Sequence, residues 1–501
     1  MKLAKSLLLA SAAAFAAVAG AQAADLPSRK SAPVNYVKIC DAYGAGFFYI
    51  PGTDTCLKVG GYVRAVWQYT PGRNVFTVAQ AGANLNYVPA VGFPISSPTQ
   101  VRGSQDTTGT EVRGRIDLDA RTPTALGTVR TAVRLRAANT SGIRNSTAVN
   151  NANIGLGTGS ATAISIEQAF VQWAGFTFGV APENYAMMPG IMYGGQAWAG
   201  FPNGIKQLAY TATFGGGFSA TLAIEERNEF GYSPMYNHTP ANGYHLVGNI
   251  RVDQSWGFAA LHGMVGNNSI RSGFTVLNGL AQTPALAGNN GVANNPLFGS
   301  SSTAGWAIGA TAKFNLPMIA AGDALYLTAN YTRGLLGALL GGGSLNTISV
   351  AAQHRFLGGI QRIDNPLVVT NGNCTAIGGC SIGSTTGWNV AGLLTHYWMP
   401  QLRSNFSTAY VQISPPTVSA LAASPFQWGK GTLWQVGASL IYSPAKDFDI
   451  GLELQYANVK NRIQNIGLIT NLGNYGTGLG QTARGLSDNN ISAIFRVERQ
   501  F

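Results

Sequence analysis

Glu111-Val112-Arg113-Gly114-Arg115-Ile116-Asp117-Leu118-Asp119-Ala120 carries a charge at every odd position and an apolar residue or glycine at every even one. On a helix those charges would spread around the whole circumference. On a strand they project from one face, because side chains alternate with period two. The pattern returns downstream with its parity reversed: Arg130, Arg134 and Arg136 share one face, and Val129, Val133 and Leu135 share the other. Arg121-Thr-Pro-Thr-Ala-Leu-Gly127 lies between them as a short turn. The stretch reads as an antiparallel hairpin with one charged and one apolar face.

The same two-faced pattern recurs to the end of the chain. Leu57, Val59, Val63, Ala65, Trp67 and Tyr69 oppose Lys58, Tyr62, Arg64 and Gln68. Phe448, Ile450, Leu452, Leu454 and Tyr456 oppose Asp449, Glu453 and Gln455, and Ile491, Ala493, Phe495 and Val497 oppose Ser492, Arg496, Glu498 and Gln500. Any one of these strands could half-bury itself in a soluble sandwich. Two features favour lipid as what the apolar face meets. Aromatic residues gather toward the ends of those faces (Trp67, Tyr69, Trp434, Tyr442, Phe448, Tyr456), as in the girdles at a membrane interface. Charged residues are 10% of the 501, against about 25% in ordinary soluble domains, while 46% are hydrophobic and 64 are glycine. Beyond the N-terminus no apolar run reaches the roughly 20 residues that a membrane-spanning helix requires.

Strands are expected at 56–69, 111–120, 128–138, 163–173, 176–181, 205–214, 218–228, 244–253, 257–266, 305–315, 324–333, 387–398, 403–413, 432–443, 447–459 and 489–500. Connections alternate in length. Short ones include Gly215-Gly216-Gly217, Gln254-Ser255-Trp256, Met399-Pro400-Gln401-Leu402 and Pro444-Ala445-Lys446; long ones include 70–110, 139–162, 267–304, 334–386 and 460–488. In hydrocarbon every backbone N–H and C=O needs a partner within the protein, so strands can cross only as a closed ring. A ring of this size leaves an aqueous lumen rather than a side-chain-filled centre. The expected fold is all-β: a 16-stranded antiparallel transmembrane β-barrel with long external loops and short periplasmic turns.

Lys2 and Lys5, the apolar stretch 7–19 and the small-x-small Ala21-Gln22-Ala23 read as a secretory signal peptide over residues 1–23. Its removal would lower the formal charge of +12 by two. Residues 24–55, with Cys40, are expected to form a periplasmic-side segment and 56–501 the pore domain. Four cysteines in an exported chain are expected to be bridged, with three connectivities open. Pairing Cys40 with Cys56 and Cys374 with Cys380 closes the shortest loops. A zinc site would want paired C-x₂₋₄-C spacing, which is lacking, so no metal is expected.

Cys40-Asp-Ala-Tyr-Gly-Ala-Gly-Phe-Phe-Tyr-Ile-Pro-Gly-Thr-Asp-Thr-Cys56, continuing Leu57-Lys-Val-Gly-Gly-Tyr-Val-Arg64, resembles the N-terminal block of the alphaproteobacterial porin family. Glu167-Gln-Ala-Phe-Val-Gln-Trp-Ala-Gly-Phe-Thr-Phe-Gly179 and the terminal Phe501 match the same family, over essentially the whole mature chain. The resemblance implies a trimeric general diffusion porin of the outer membrane, whose third external loop folds inward and narrows the channel. Here that constriction loop would be about residues 182–204. It further implies that Phe501 is read by the barrel-insertion machinery. The loop departs from a strongly acidic constriction, since Glu183 is its one acidic residue.

The expected mechanism is passive diffusion of small hydrophilic solutes and ions through a charged waist. Arg64, Arg113, Arg115, Arg130, Arg134 and Arg136 should share the lumen wall, with Glu111, Asp117 and Asp119 partly neutralising them and Glu183 as a counter-charge across the opening. The arginines could instead serve as wall bonds to neighbouring carboxylates, or sit at the rim against lipopolysaccharide phosphates. A substrate-specific channel for sugars or anions would use Tyr185, Tyr193, Trp198 and Phe201 of the loop as an aromatic slide; those residues could equally pack the loop against the wall. A barrel hydrolase would need a nucleophile and a histidine on adjacent strands, and His238, His245, His262, His354 and His396 are scattered with no such pairing. No cofactor is expected. Nucleic acid is discounted as a partner, because charges alternate along strands rather than cluster with stacking aromatics.

Overall fold

The computed structural model describes residues 38–70, 75–78, 98–101, 107–142, 144, 161–196, 198, 204–227, 237–238, 243–271, 275–277, 280–282, 301–340, 368–369, 382–414, 426–465 and 485–501. The expected signal peptide, Cys374, Cys380 and Phe201 lie outside the described residues. The chain divides into two units, Met1–Leu57 and Lys58–Phe501. In the first, a single 3-10 turn, Asp41–Tyr43, precedes a short strand, Phe47–Tyr49. A disulfide joins Cys40 to Cys56, and both are buried beside Phe47.

The barrel is built of sixteen strands. They are β1 (Cys56–Tyr69), β2 (Thr108–Thr124), β3 (Gly127–Gly142), β4 (Ala161–Trp173), β5 (Phe176–Ala181), β6 (Ile205–Gly215), β7 (Phe218–Arg227) and β8 (Gly243–Gln254). There follow β9 (Gly257–Arg271), β10 (Ser301–Asn315), β11 (Ala324–Arg333), β12 (Thr386–Met399), β13 (Leu402–Ser414), β14 (Phe426–Ala445), β15 (Phe448–Asn465) and β16 (Gly485–Gln500). Each pairs antiparallel with its neighbour, and β1 takes β2 on one side and β16 on the other, so the ring is closed. The closing register runs from Tyr62↔Gln500 to Tyr69↔Ala493. Beyond the stretches where apolar and polar residues alternate, several strands continue: β2 reaches Thr124, and β14 begins at Phe426. Backbone pairing goes on there although the alternation has ended, so composition no longer marks the strand.

The two faces separate as the alternation requires. Val63, Trp67, Ile116, Leu222, Leu261, Ile308, Leu440, Leu454 and Phe495 are exposed on the outside. Glu111, Glu167, Asn249, His262, Thr328, Asn389, Gln435, Glu453 and Glu498 are buried on the inside. This is the reverse of a soluble protein, and it fits a ring with hydrocarbon around it and water within. Against that rule, the inner faces of β12–β14 carry an apolar strip among their polar residues, with Ala391, Leu393, Ala409, Val411, Ile413 and Leu433 all buried.

Candidate functional site

The hairpin of β2 and β3 sets Arg115 opposite Arg136, Asp117 opposite Arg134 and Arg121 opposite Arg130. Like charges directly opposed are destabilising, and here each of these arginines has a carboxylate. Asp117 takes Arg115 at 2.8 Å and Arg134 at 2.7 Å; Asp119 takes Arg121 at 2.9 Å and Arg130 at 3.0 Å. Glu111 is likewise divided between Arg113 (2.7 Å) and Arg144 (3.1 Å). Glu498 on β16 lies between Arg64 and, at 3.7 Å, Arg496, while Arg136 has Glu167 at 3.1 Å. Five carboxylates therefore serve nine guanidinium groups on the wall formed by β1–β4 and β16. Elsewhere round the ring, near the short turns, the pairing is one to one, Arg251 with Asp253 and Arg403 with Asp449.

Tyr62 organises the centre of this wall. It is 3% exposed, with the Arg64 and Arg115 guanidinium groups 4.5 and 4.2 Å from its ring centroid, and Arg113 donates to its hydroxyl at 3.4 Å. Cations over an aromatic face are held by the ring quadrupole, more firmly where water is sparse. The arginines keep 12–36% of their side-chain surface, so they face water rather than a sealed interior.

The segment between β5 and β6 folds into the ring. At its root Asn184 donates from its backbone N–H to Glu225 Oε1 (2.8 Å) and from its side chain to Gln207 (2.6 Å), and Asn249 donates to the Asn184 carbonyl (2.8 Å). Beyond the root, Met192 and Trp198 pack on the apolar strip inside β12–β14. Farther round the ring, the N–H groups of Tyr193 and Gly194 both donate to the Glu453 carboxylate, at 2.6 and 2.9 Å, and Gln435 donates to the Gly195 carbonyl. Arg496 lies 3.8 Å from the Tyr193 ring centroid. Burial pushes the Tyr193 phenol up to about 12, against the pull of Arg496. Among the described residues the loop thus lines the inner faces from β6 to β16, where Tyr193 covers Arg496, and leaves the arginines of β2 and β3 open.

Of the residues singled out from sequence, Arg64, Arg113, Arg115, Arg130, Arg134, Arg136, Glu111, Asp117 and Asp119 come together on this wall. Glu183 does not stand across the opening from them. It is held 2.6 Å from Arg227, which also meets Glu225 at 2.7 Å; all three side chains are nearly inaccessible, so the loop's acidic charge is compensated where it sits. Tyr185, Tyr193 and Trp198 are buried against the wall and offer no stacked slide, which is the packing alternative. Sequence reading missed Arg121, which it placed in a turn and which lies within β2, together with Arg144, Arg496, Glu167, Glu498 and Glu453, as members of the site. Arg496 and Glu498 share a parity that could have flagged them; Arg144 lies past the end of β3, where no alternation is left to read.

Residues 25–478 match the model of a family described as the Porin subfamily. Porin Omp2b of Brucella suis biovar 1 is 35% identical over 283 residues, which are 53% of this chain and 66% of that protein. Omp2b of Brucella abortus (strain 2308) gives the same figures, 35% over 283 residues with 53% and 66% covered. The match spans just under two thirds of the length of these relatives. Among solved structures, the outer membrane channel DcaP of Acinetobacter baumannii is similar with a TM-score of 0.52 at 15% identity, covering 90% of this chain and 99% of that one, a likeness of fold alone.

Proposed function

Because the chain belongs to the porin family, and so is a β-barrel of the outer membrane, we propose that it forms a water-filled channel for passive diffusion of small hydrophilic solutes, with a preference for anions. The observation that carries this reading is the surplus of guanidinium groups over carboxylates along β2 and β3, which the described part of the loop leaves open. Between low-dielectric walls a fixed charge acts over a longer range than on an open surface. An anion passing the wall meets that surplus directly, and a cation is repelled by it. The working unit in this reading is a homotrimer, inserted by machinery that reads Phe501 and surrounded by lipopolysaccharide.

Arg113→Ala combined with Arg134→Ala tests the reading cleanly. Glu111 keeps Arg144 and Asp117 keeps Arg115, so neither carboxylate is stranded. In planar bilayers under a potassium chloride gradient, the anion-to-cation permeability ratio should fall roughly twofold, since two of the uncompensated charges are gone. A reversal potential identical to the parent's would refute the assignment of the wall.

A further inference from the structure

Residues 334–340, Gly-Leu-Leu-Gly-Ala-Leu-Leu, follow β11 at the start of a long external loop, where an apolar run has no business facing water. They turn into the lumen instead. Leu335, Leu336, Ala338 and Leu339 are 0–3% exposed. A single helical turn, Gly337–Leu340, puts residues three apart on the same side. Leu335 and Ala338 enter the apolar cluster around Tyr185; Leu336 and Leu339 enter the one around Met192 and Trp198. The segment is a wedge between two parts of the loop that follows β5.

Its backbone is tied to the wall as well. The Gly334 N–H donates to the Thr385 carbonyl (2.7 Å), the Leu335 N–H to Thr332 Oγ1 (3.2 Å), and Asn389 Nδ2 to the Leu339 carbonyl (2.6 Å). Asn389 is itself buried and accepts from Asn330 at 2.8 Å. These bonds satisfy polar groups that would otherwise be stranded among leucines.

We infer that residues 334–340 are a second constriction element, which seats the β5–β6 loop and closes the uncharged side of the lumen, so that the size limit and the confinement of solutes to the arginine wall depend on both segments. The inference rests on the channel reading above.

The test is the full-length protein carrying Leu335→Ser and Leu339→Ser. Single-channel conductance should rise about 1.5-fold or more, trisaccharides should enter proteoliposomes faster, and anion preference should fall as water opens beside the neutral wall. Conductance and sugar entry equal to the parent's, in protein that still migrates as a folded barrel when unheated, would overturn the inference. Should the double variant not fold, Leu339→Cys decides. A membrane-impermeant maleimide should label it at least about tenfold more slowly than Met318→Cys, whose parent side chain is 77% exposed; equal rates would overturn the seating. A parent protein that conducts without anion preference would instead defeat the reading of the arginine wall, while leaving the conductance comparison able to judge the second constriction.

Discussion

The phenol of Tyr193 is buried against the ring wall under the Arg496 guanidinium, and burial dominates, holding its pKa at about 12 rather than near 10. A raised folded-state value means that the neutral phenol is favoured in the folded protein. Its contribution is full below pH 10 and is lost as the pH rises through about 12. Alkaline absorbance titration should therefore find one late-ionising tyrosine that Tyr193→Phe removes, and the variant should hold its conductance to higher pH than the parent. At this scale the sequence was legible wherever parity carried the information. Arg113 and Asp117 share a face because they are an even number of residues apart, and Arg134 joins them through the register of one short turn. The partner of Glu183 was not legible: Arg227 lies 44 residues later, at the end of β7, and nothing local says that the root of the loop folds back onto it.

Among elements, the root of the β5–β6 loop is the place where one substitution should do most harm. Arg227 joins Glu183 of the loop to Glu225 of β7, with its side chain wholly inaccessible. Arg227→Met would take the guanidinium away from two buried carboxylates, a loss of about 3–5 kcal/mol by comparison with other broken buried pairs. Thermal denaturation should show it as a large fall in midpoint, and chymotrypsin should gain access to the aromatic residues of 182–204. Arg227→Lys keeps the charge without the forked geometry and should fall between. Strand ends followed the alternation closely at β5 and β11, which match the expected 176–181 and 324–333. Along β12–β14 the pattern is weaker, because Val390 and Phe406 outside and Leu393 and Val411 inside put apolar residues on both faces. That doubled apolarity marks where loops lie against the inner wall. The Leu335–Leu339 run was visible in the sequence but sat in what read as an external connection, and nothing local says that a loop turns inward.

For the molecule as a whole, closure depends on how nearly the seam strands approach. Gly61 of β1 exchanges backbone hydrogen bonds with Phe501 at 3.1 Å in both directions, and a Cβ at this position would fall on the Arg115 carbonyl and touch the Phe501 ring. Gly61→Ala should lower the temperature at which the barrel opens by loosening the β16–β1–β2 seam, at a cost of about 1–3 kcal/mol. Gly60→Ala meets only ordinary contact with the Phe501 carbonyl and should leave that temperature unchanged; gel mobility against heating temperature compares the two. The apolar strip inside β12–β14 has a further consequence for biogenesis. A ring whose strands have zipped shut but whose loops still hang outside encloses an oily patch wetted by its own interior water. Such a species should take up a hydrophobic dye through its mouth and then release it as the lumen dries along that side, so maturation would end with a slow internal settling step after the ring itself is complete.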